Sequence, residues 1–169
     1  MGSGKTTIGS ALASGLGWQF VDLDAYLEDL EQTTIGDMFR SRGEAEFRNL
    51  ERKSLSSILA DSHGGSRVIA LGGGTFVQPE NADLFSDPEC LTIFLDAPLD
   101  ELWARCEEPS RLRPLRQDPE HFRNLYEARR EFYTRAGLQI QTSGKSVQAV
   151  AEEIAARLRR DFELEERST

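Results

Sequence analysis

Residues Met1–Thr7 read MGSGKTT, and Gly2, Ser3, Gly4, Lys5, Thr6 and Thr7 form the second half of a phosphate-binding loop. In the pattern G-x-x-x-x-G-K-[ST] the glycines turn the backbone so that its N–H groups face inward. The lysine reaches the β- and γ-phosphates, and the hydroxyl takes Mg²⁺. The first glycine of the pattern, and the strand that carries it, do not precede Gly2 here. The next residues fit the pattern: Thr7–Gly15 (TIGSALASG) predicts a helix with Ile8, Leu12 and the alanines on one face, ending at glycines. Its N-terminus would point at bound phosphate. Taken alone, the stretch also reads as a flexible Gly/Ser start before an ordinary helix, so the rest of the chain decides.

Working outward, short apolar runs alternate with longer amphipathic ones, which is the rhythm of α/β units around a parallel sheet. Strands are expected at Gln19–Asp22, Arg67–Leu71, Leu91–Leu95 and Leu138–Gln141. Helices are expected at Ala25–Leu30, Ile35–Arg40, Glu44–Ala60, Glu80–Phe85, Leu99–Cys106, Glu120–Thr134 and Val147–Phe162. The segment 108–117, rich in proline and arginine, reads as a mobile loop, and 163–169 as a frayed tail. At 169 residues and 38% hydrophobic, the chain suits one domain.

Twenty Lys+Arg against 29 Asp+Glu give a net charge of -9, which argues against a general nucleic-acid or membrane-surface binder, since those need broad basic faces. An anionic ligand must be held locally. Cys90 and Cys106 lack any metal or CxxC spacing and read as buried or incidental thiols in a reduced cytosol. No apolar run approaches the roughly 20 residues that span a bilayer.

Four stretches carry candidate chemistry. In VDLD, Asp22 and Asp24 stand where a strand gives way to a helix, the strand end at which open α/β sheets place ligands. Asp24 could merely cap that helix; Asp22, at the edge of an apolar strand, suits Mg²⁺ or its water shell. In RGEAEFRNLE, Glu44, Arg48 and Glu51 share a helical face, with Phe47 and Leu50 turned elsewhere. Such a face reads as solvated ion pairs, and equally as an arginine held rigid to fork a carboxylate. In ALGGGTF, Gly72, Gly73 and Gly74 suggest a sharp bend or close approach of a ligand. Finally, SRLRPL and ARREFY bring Arg111, Arg113, Arg116 and Arg129, with Tyr133 one turn beyond Arg129. Loop arginines are usually solvated, but phosphoryl transfer also calls for one over the phosphates.

In this order the motifs resemble those of shikimate kinase, a small P-loop kinase of the nucleoside-monophosphate-kinase type. The resemblance runs from GSGKTT to TSGKSVQAVAEEI near the C-terminus. It implies a three-layer P-loop kinase fold over 1–169 with a five-stranded parallel sheet in the order 2-3-1-4-5 and a lid at about 108–117. It further implies ATP and Mg²⁺, with transfer of the γ-phosphoryl group to the 3-hydroxyl of shikimate on the route to chorismate and the aromatic amino acids. Carried over, Lys5 holds phosphates, Thr6 and Asp22 serve Mg²⁺, and Asp24 binds the reacting diol as general base. Arg48 and Arg129 clamp the shikimate carboxylate beside Gly72, Gly73 and Gly74. Glu51 orients Arg48, Arg113 is the lid arginine, and Ser143, Gly144 and Lys145 form the adenine-side loop. Arg105 stands nearest the family's adenine-side arginine, one residue off in spacing. Glu131 replaces a frequent proline. A cytoplasmic monomer is expected.

By the same resemblance, the family's first strand lies between those corresponding to Arg67–Leu71 and Leu91–Leu95. Losing four buried aliphatic side chains at roughly 1.5–3 kcal/mol each would remove much of a typical 5–15 kcal/mol stability. Met1 is therefore expected to be an internal methionine of a longer natural sequence, and a chain starting there to fold poorly. Gluconate and nucleotide kinases, and a non-catalytic truncated kinase-like binding module, are the competing readings. GEAEFR followed by GGG and RPL favours shikimate.

Overall fold

The computed structural model describes residues 2–61, 65–107 and 118–166, with side chains through 160. Helix α1 (Lys5–Leu16) leads into β1 (Gln19–Asp22), α2 (Leu23–Glu31) and α3 (Ile35–Ala60). Then come β2 (Arg67–Ala70), a 3₁₀ turn (Pro79–Asn81), β3 (Ile93–Asp96), α4 (Leu99–Glu107), α5 (Pro119–Tyr133), β4 (Leu138–Gln141) and α6 (Val147–Glu166). Strands β1 and β2 pair in parallel with Gln19 opposite Arg67, and β3 and β4 with Ile93 opposite Leu138. The strands form two separate two-stranded sheets, β2 and β3 being unpaired with one another.

Alternation along β2 shows why helices cover both faces. Successive strand residues point to opposite sides. Val68 packs against a cluster of Ile8 and Leu12 from α1, Leu95, Ile140, and Val150, Ile154 and Leu158 from α6. Its neighbour Ile69 packs against the other cluster, built from Leu23 and Leu27 of α2 and Met38, Phe47, Leu55 and Ile58 of α3. Since Val68 joins α1, β3, β4 and α6 in one core, the two strand pairs share a layer between two helical layers, the α/β architecture of the P-loop kinases.

Local chemistry accounts for the element ends. The two expected helices Ile35–Arg40 and Glu44–Ala60 are one continuous element bent at Gly43, whose φ of 79° and ψ of 168° are non-helical. Thr34 caps its start by accepting from the Asp37 amide. Asp118 caps α5 ahead of Pro119. The helix expected at Glu80–Phe85 is instead a 3₁₀ turn followed by i→i+3 turns. The Asn81 side chain is drawn inward to the Thr75 carbonyl, and Ala82, Leu84 and Ser86 bond back three residues. The strand expected at Leu91–Leu95 starts at Ile93 and ends at Asp96, two residues and one residue later: Thr92 receives the amides of Leu138 and Gly137 on its carbonyl and hydroxyl at one end, and the Asp96 carbonyl receives the Thr142 amide at the other. Helix α6 runs to Glu166, into the segment read as a frayed tail.

Among the described residues, no helix is long and apolar enough to cross a membrane. Neither cysteine is in a disulfide.

Candidate active site

The phosphate loop is shaped by its glycines. Gly4 precedes α1 at φ 83° and Gly2 sits at φ 65°, both left-handed. A Cβ on Gly2 would stand 2.6 Å from the Leu102 carbonyl oxygen and 3.0 Å from Cys106 Sγ, so α4 backs the loop directly. Ser3 is buried. Lys5 and Thr6 begin α1, where the positive end of the helix dipole favours an anion. Thr6 Oγ1 donates to Asp22 Oδ2 at 2.7 Å. The other Asp22 oxygen accepts from the amides of Asp24 (3.1 Å) and Ala25 (3.4 Å), so the cap of α2 is Asp22 rather than Asp24. The chain reverses from strand to helix within one residue, which puts the earlier carboxylate at the helix end. A hydroxyl and a carboxylate oxygen beside a helix N-terminus are hard donors suited to a Mg²⁺ that takes its other ligands from phosphate and water.

Freed from capping, the Asp24 carboxylate reaches over Gly72. A Cβ there would lie 2.8 Å from Asp24 Oδ1, 3.1 Å from Thr75 Oγ1 and 3.2 Å from Glu51 Oε1, so three oxygens converge on one glycine. Although Asp24 as a residue retains solvent contact, this end of its side chain is crowded by protein. Burial first, and then the negative charges of Asp22 and Glu51, push its carboxyl above the usual value, with Lys5 pulling the other way. A carboxylate with raised proton affinity is suited to receive a proton.

Arg48 is held by two carboxylates and two aromatic rings. Nη1 donates to Glu51 Oε2 at 2.8 Å and Nη2 to Glu44 Oε1 at 3.3 Å. The guanidinium lies 5.2 Å from the Phe47 ring centroid and 5.7 Å from that of Phe39. Phe47, expected to turn elsewhere, thus lines the underside of the arginine as well as the core. Helical spacing placed it off the face, but the cation reaches sideways across the ring. Glu51 is only 1% exposed, so this is not a solvated ion pair of the kind its spacing allowed. Nε of Arg48 is a buried donor without a hydrogen-bond partner. Gly74 lies against the guanidinium, and a Cβ there would be 2.5 Å from Nη2.

From the other side, α5 brings Arg129 and Tyr133. Tyr133 donates its hydroxyl to the Gly73 carbonyl, and its ring stands 5.3 Å from that of Phe94. Burial raises its phenol above the usual value, with the charge of Arg129 and a hydrogen bond to it opposing. The adjacent Arg130 instead donates to Asp96 at the end of β3.

On the nucleotide side of the expected site, Arg105 bonds Glu101 (3.0 Å) and Thr142 (3.4 Å), and Ser143 donates to Glu101. Lys145 pairs with Glu153 of α6 at 2.6 Å. Gly144 is left-handed at φ 68°. Arg111, Arg113, Arg116 and the expected lid at 108–117 lie outside the described residues.

Two participants escaped the sequence reading. Thr75 is completely buried and donates to Glu51 Oε1 at 2.6 Å, and Asn81 anchors the Thr75 carbonyl at 2.9 Å. Thr75 had a signal, a hydroxyl directly after three glycines, whereas Asn81 had none.

The family model for shikimate kinase matches residues 1–159. The shikimate kinase of Persephonella marina is 35% identical over 159 residues, covering 94% of this chain and 94% of its own length. That of a Synechococcus strain is 41% identical over 157 residues, covering 91% of this chain and 76% of its own. A solved structure of Acinetobacter baumannii shikimate kinase in complex with shikimate superposes with a TM-score of 0.82 at 28% identity. It covers 95% of this chain and 89% of its own. With the family model spanning nearly all of the sequence and relatives matching it along most of their length, the chain belongs to the shikimate kinase family.

Proposed function

We infer that the protein transfers the γ-phosphoryl group of ATP to the 3-hydroxyl of shikimate, giving shikimate 3-phosphate and ADP, on the route to chorismate and the aromatic amino acids. As a member of the shikimate kinase family it is an ATP-dependent kinase that works with Mg²⁺. The observation that carries the substrate assignment is the pairing of two unlike groups around one glycine turn. A rigid guanidinium with a spare buried donor faces Gly74, and a carboxylate of raised proton affinity faces Gly72. A substrate with a carboxylate at one end and a reactive hydroxyl at the other matches that pair.

In this reading Arg48 and Arg129 clamp the carboxylate, fixing the ring against the backbone of Gly72, Gly73 and Gly74. Asp24 hydrogen-bonds the hydroxyl and takes its proton as the oxygen attacks. Positioning accounts for most of such a reaction, because a near-attack arrangement needs the reacting atoms about 3–3.5 Å apart. Gly2, Ser3, Gly4, Lys5, Thr6 and Thr7 hold the phosphates at the start of α1, and Lys145 and Arg113 belong to the nucleotide side. Thr6 and Asp22 would hold Mg²⁺, which would supply neutralisation of phosphate charge. The unit is one kinase domain over 1–169, working as a cytoplasmic monomer without nucleic acid.

A coupled ADP-release assay with ATP, Mg²⁺ and shikimate tests this. The expected result is turnover with shikimate and none with gluconate or nucleoside monophosphates. Turnover with either of those alone would replace the reading, and a folded chain that turns over none of the three would make it a binding module.

A further inference from the structure

We propose that Thr75 is a positioning residue for the substrate-binding arginine, its hydroxyl fixing Glu51 so that Arg48 presents its guanidinium over Gly74. The inference deepens the shikimate kinase reading and rests on it.

Glu51 is buried at 1% exposure, and its two oxygens have different partners: Oε2 receives Arg48 Nη1 at 2.8 Å and Oε1 receives the Thr75 hydroxyl at 2.6 Å. Thr75 has a single hydroxyl hydrogen, and it is committed to this bond. The commitment matters because Asp24 Oδ1 lies close to the same Gly72 position as Glu51 Oε1. Two carboxylate oxygens turned toward one point repel, and the hydrogen bond holds Glu51 in place against that repulsion. With Glu51 1% exposed and Thr75 fully buried, bulk water does not replace a lost donor. An unpaired Oε1 would therefore turn, carrying Oε2 away from Nη1.

Thr75 itself cannot drift. Its amide donates to the Gly72 carbonyl at 3.3 Å, and its carbonyl accepts from Asn81 Nδ2 at 2.9 Å. Asn81 in turn accepts from Arg52, which makes a two-pronged pair with Asp83 at 3.0 and 2.9 Å. The chain of contacts ties the orientation of Arg48 on α3 to the turn after the glycines. A surface arginine and a 3₁₀ turn thereby brace the substrate side of the site.

The test compares Thr75→Val, which keeps the shape and deletes the donor, with Thr75→Ser, which keeps the donor and deletes the methyl group. Thr75→Ala supplies the same deletion if the valine chain fails to fold. The expected result is a KM for shikimate raised about tenfold in Val or Ala, the scale set by one buried acceptor left unsatisfied. The KM for ATP stays unchanged, and Ser restores the wild-type value. Wild-type KM for shikimate in a folded Val or Ala chain overturns the proposal, as does an equal change in both KM values or a serine chain that behaves like valine. Each of these leaves the kinase reading standing, whereas a wild-type chain that does not phosphorylate shikimate removes both.

Discussion

Adding one methyl group at Gly74 should separate substrate binding from nucleotide binding. The Cβ of Gly74→Ala would stand 2.5 Å from Arg48 Nη2, 2.9 Å from Nη1 and 3.0 Å from Cζ. Ordinary carbon–nitrogen contact is about 3.5 Å, so the guanidinium must retreat by about 1 Å. An arginine on a free surface would do so at little cost. This one is tied to buried Glu51 at 2.8 Å and lies against the packed pair of Phe39 and Phe47 rings, so it can retreat only by straining the ion pair. A misplacement of about 1 Å in a positioning group costs up to about 100-fold in rate. We expect kcat/KM for shikimate to fall about 10- to 100-fold, mainly through KM, with KM for ATP unchanged. Straining the ion pair should cost about 1–3 kcal/mol, short of the ~3–5 kcal/mol for removing one partner of a buried pair. At about 2–4 °C per kcal/mol for a chain of this size, thermal melting should register it. Gly15→Ala, the same substitution at a glycine with no atom within 4 Å, is the control and should keep wild-type kinetics. A folded Gly74→Ala enzyme with wild-type KM for shikimate would refute the placement of Arg48 at the substrate.

Asp24→Asn should lower kcat by about 10²–10⁴-fold if Asp24 is the general base. Because the native carboxyl binds its proton more tightly than the usual 3.8, the charged form costs stability as pH rises through that value toward the raised one; the asparagine chain should melt higher at pH 7, and the acid limb of wild-type kcat/KM, which reports the free enzyme, should lie above 3.8. Asp22→Asn keeps a side chain that caps helices as well as Asp does, so melting should hold while the Mg²⁺ concentration for half-maximal rate rises about tenfold; Asp22→Ala should also lose about 1 kcal/mol from the cap of α2. Gly43→Ala forces an L-residue to φ 79°, ψ 168°, and should destabilise by about 1–3 kcal/mol in a denaturant melt although nothing crowds the new methyl group.

Much of the layout was legible because it depends on local order. Apolar periodicity located the four strands of the described residues, and Gly43 separated two helical patterns that the structure joins across a bend. The ends of β3 and the 79–86 segment were misread because pairing by Thr92 and anchoring by Asn81 are set by partners distant in sequence. VDLD was legible as a strand-to-helix junction carrying two carboxylates, yet which aspartate caps and which stays available depended on where the strand stops. At Glu44, Arg48 and Glu51, spacing alone allowed a solvated face, and only burial of Glu51 decided against it.

By itself the sequence determined the glycine-rich start of α1, the order of strands and helices, and the motifs that mark the family, since each rests on neighbours within a few positions. Tertiary structure alone decided that Asp24 is crowded against Asp22 and Glu51, that Arg48 lies over Phe39 and Phe47 against Gly74, and that Thr75 completes Glu51. Those relations join the end of β1, α2, α3 and the turn after β2. Proton affinity and side-chain direction depend on the groups that surround a residue in space, and spacing along a chain does not carry that information.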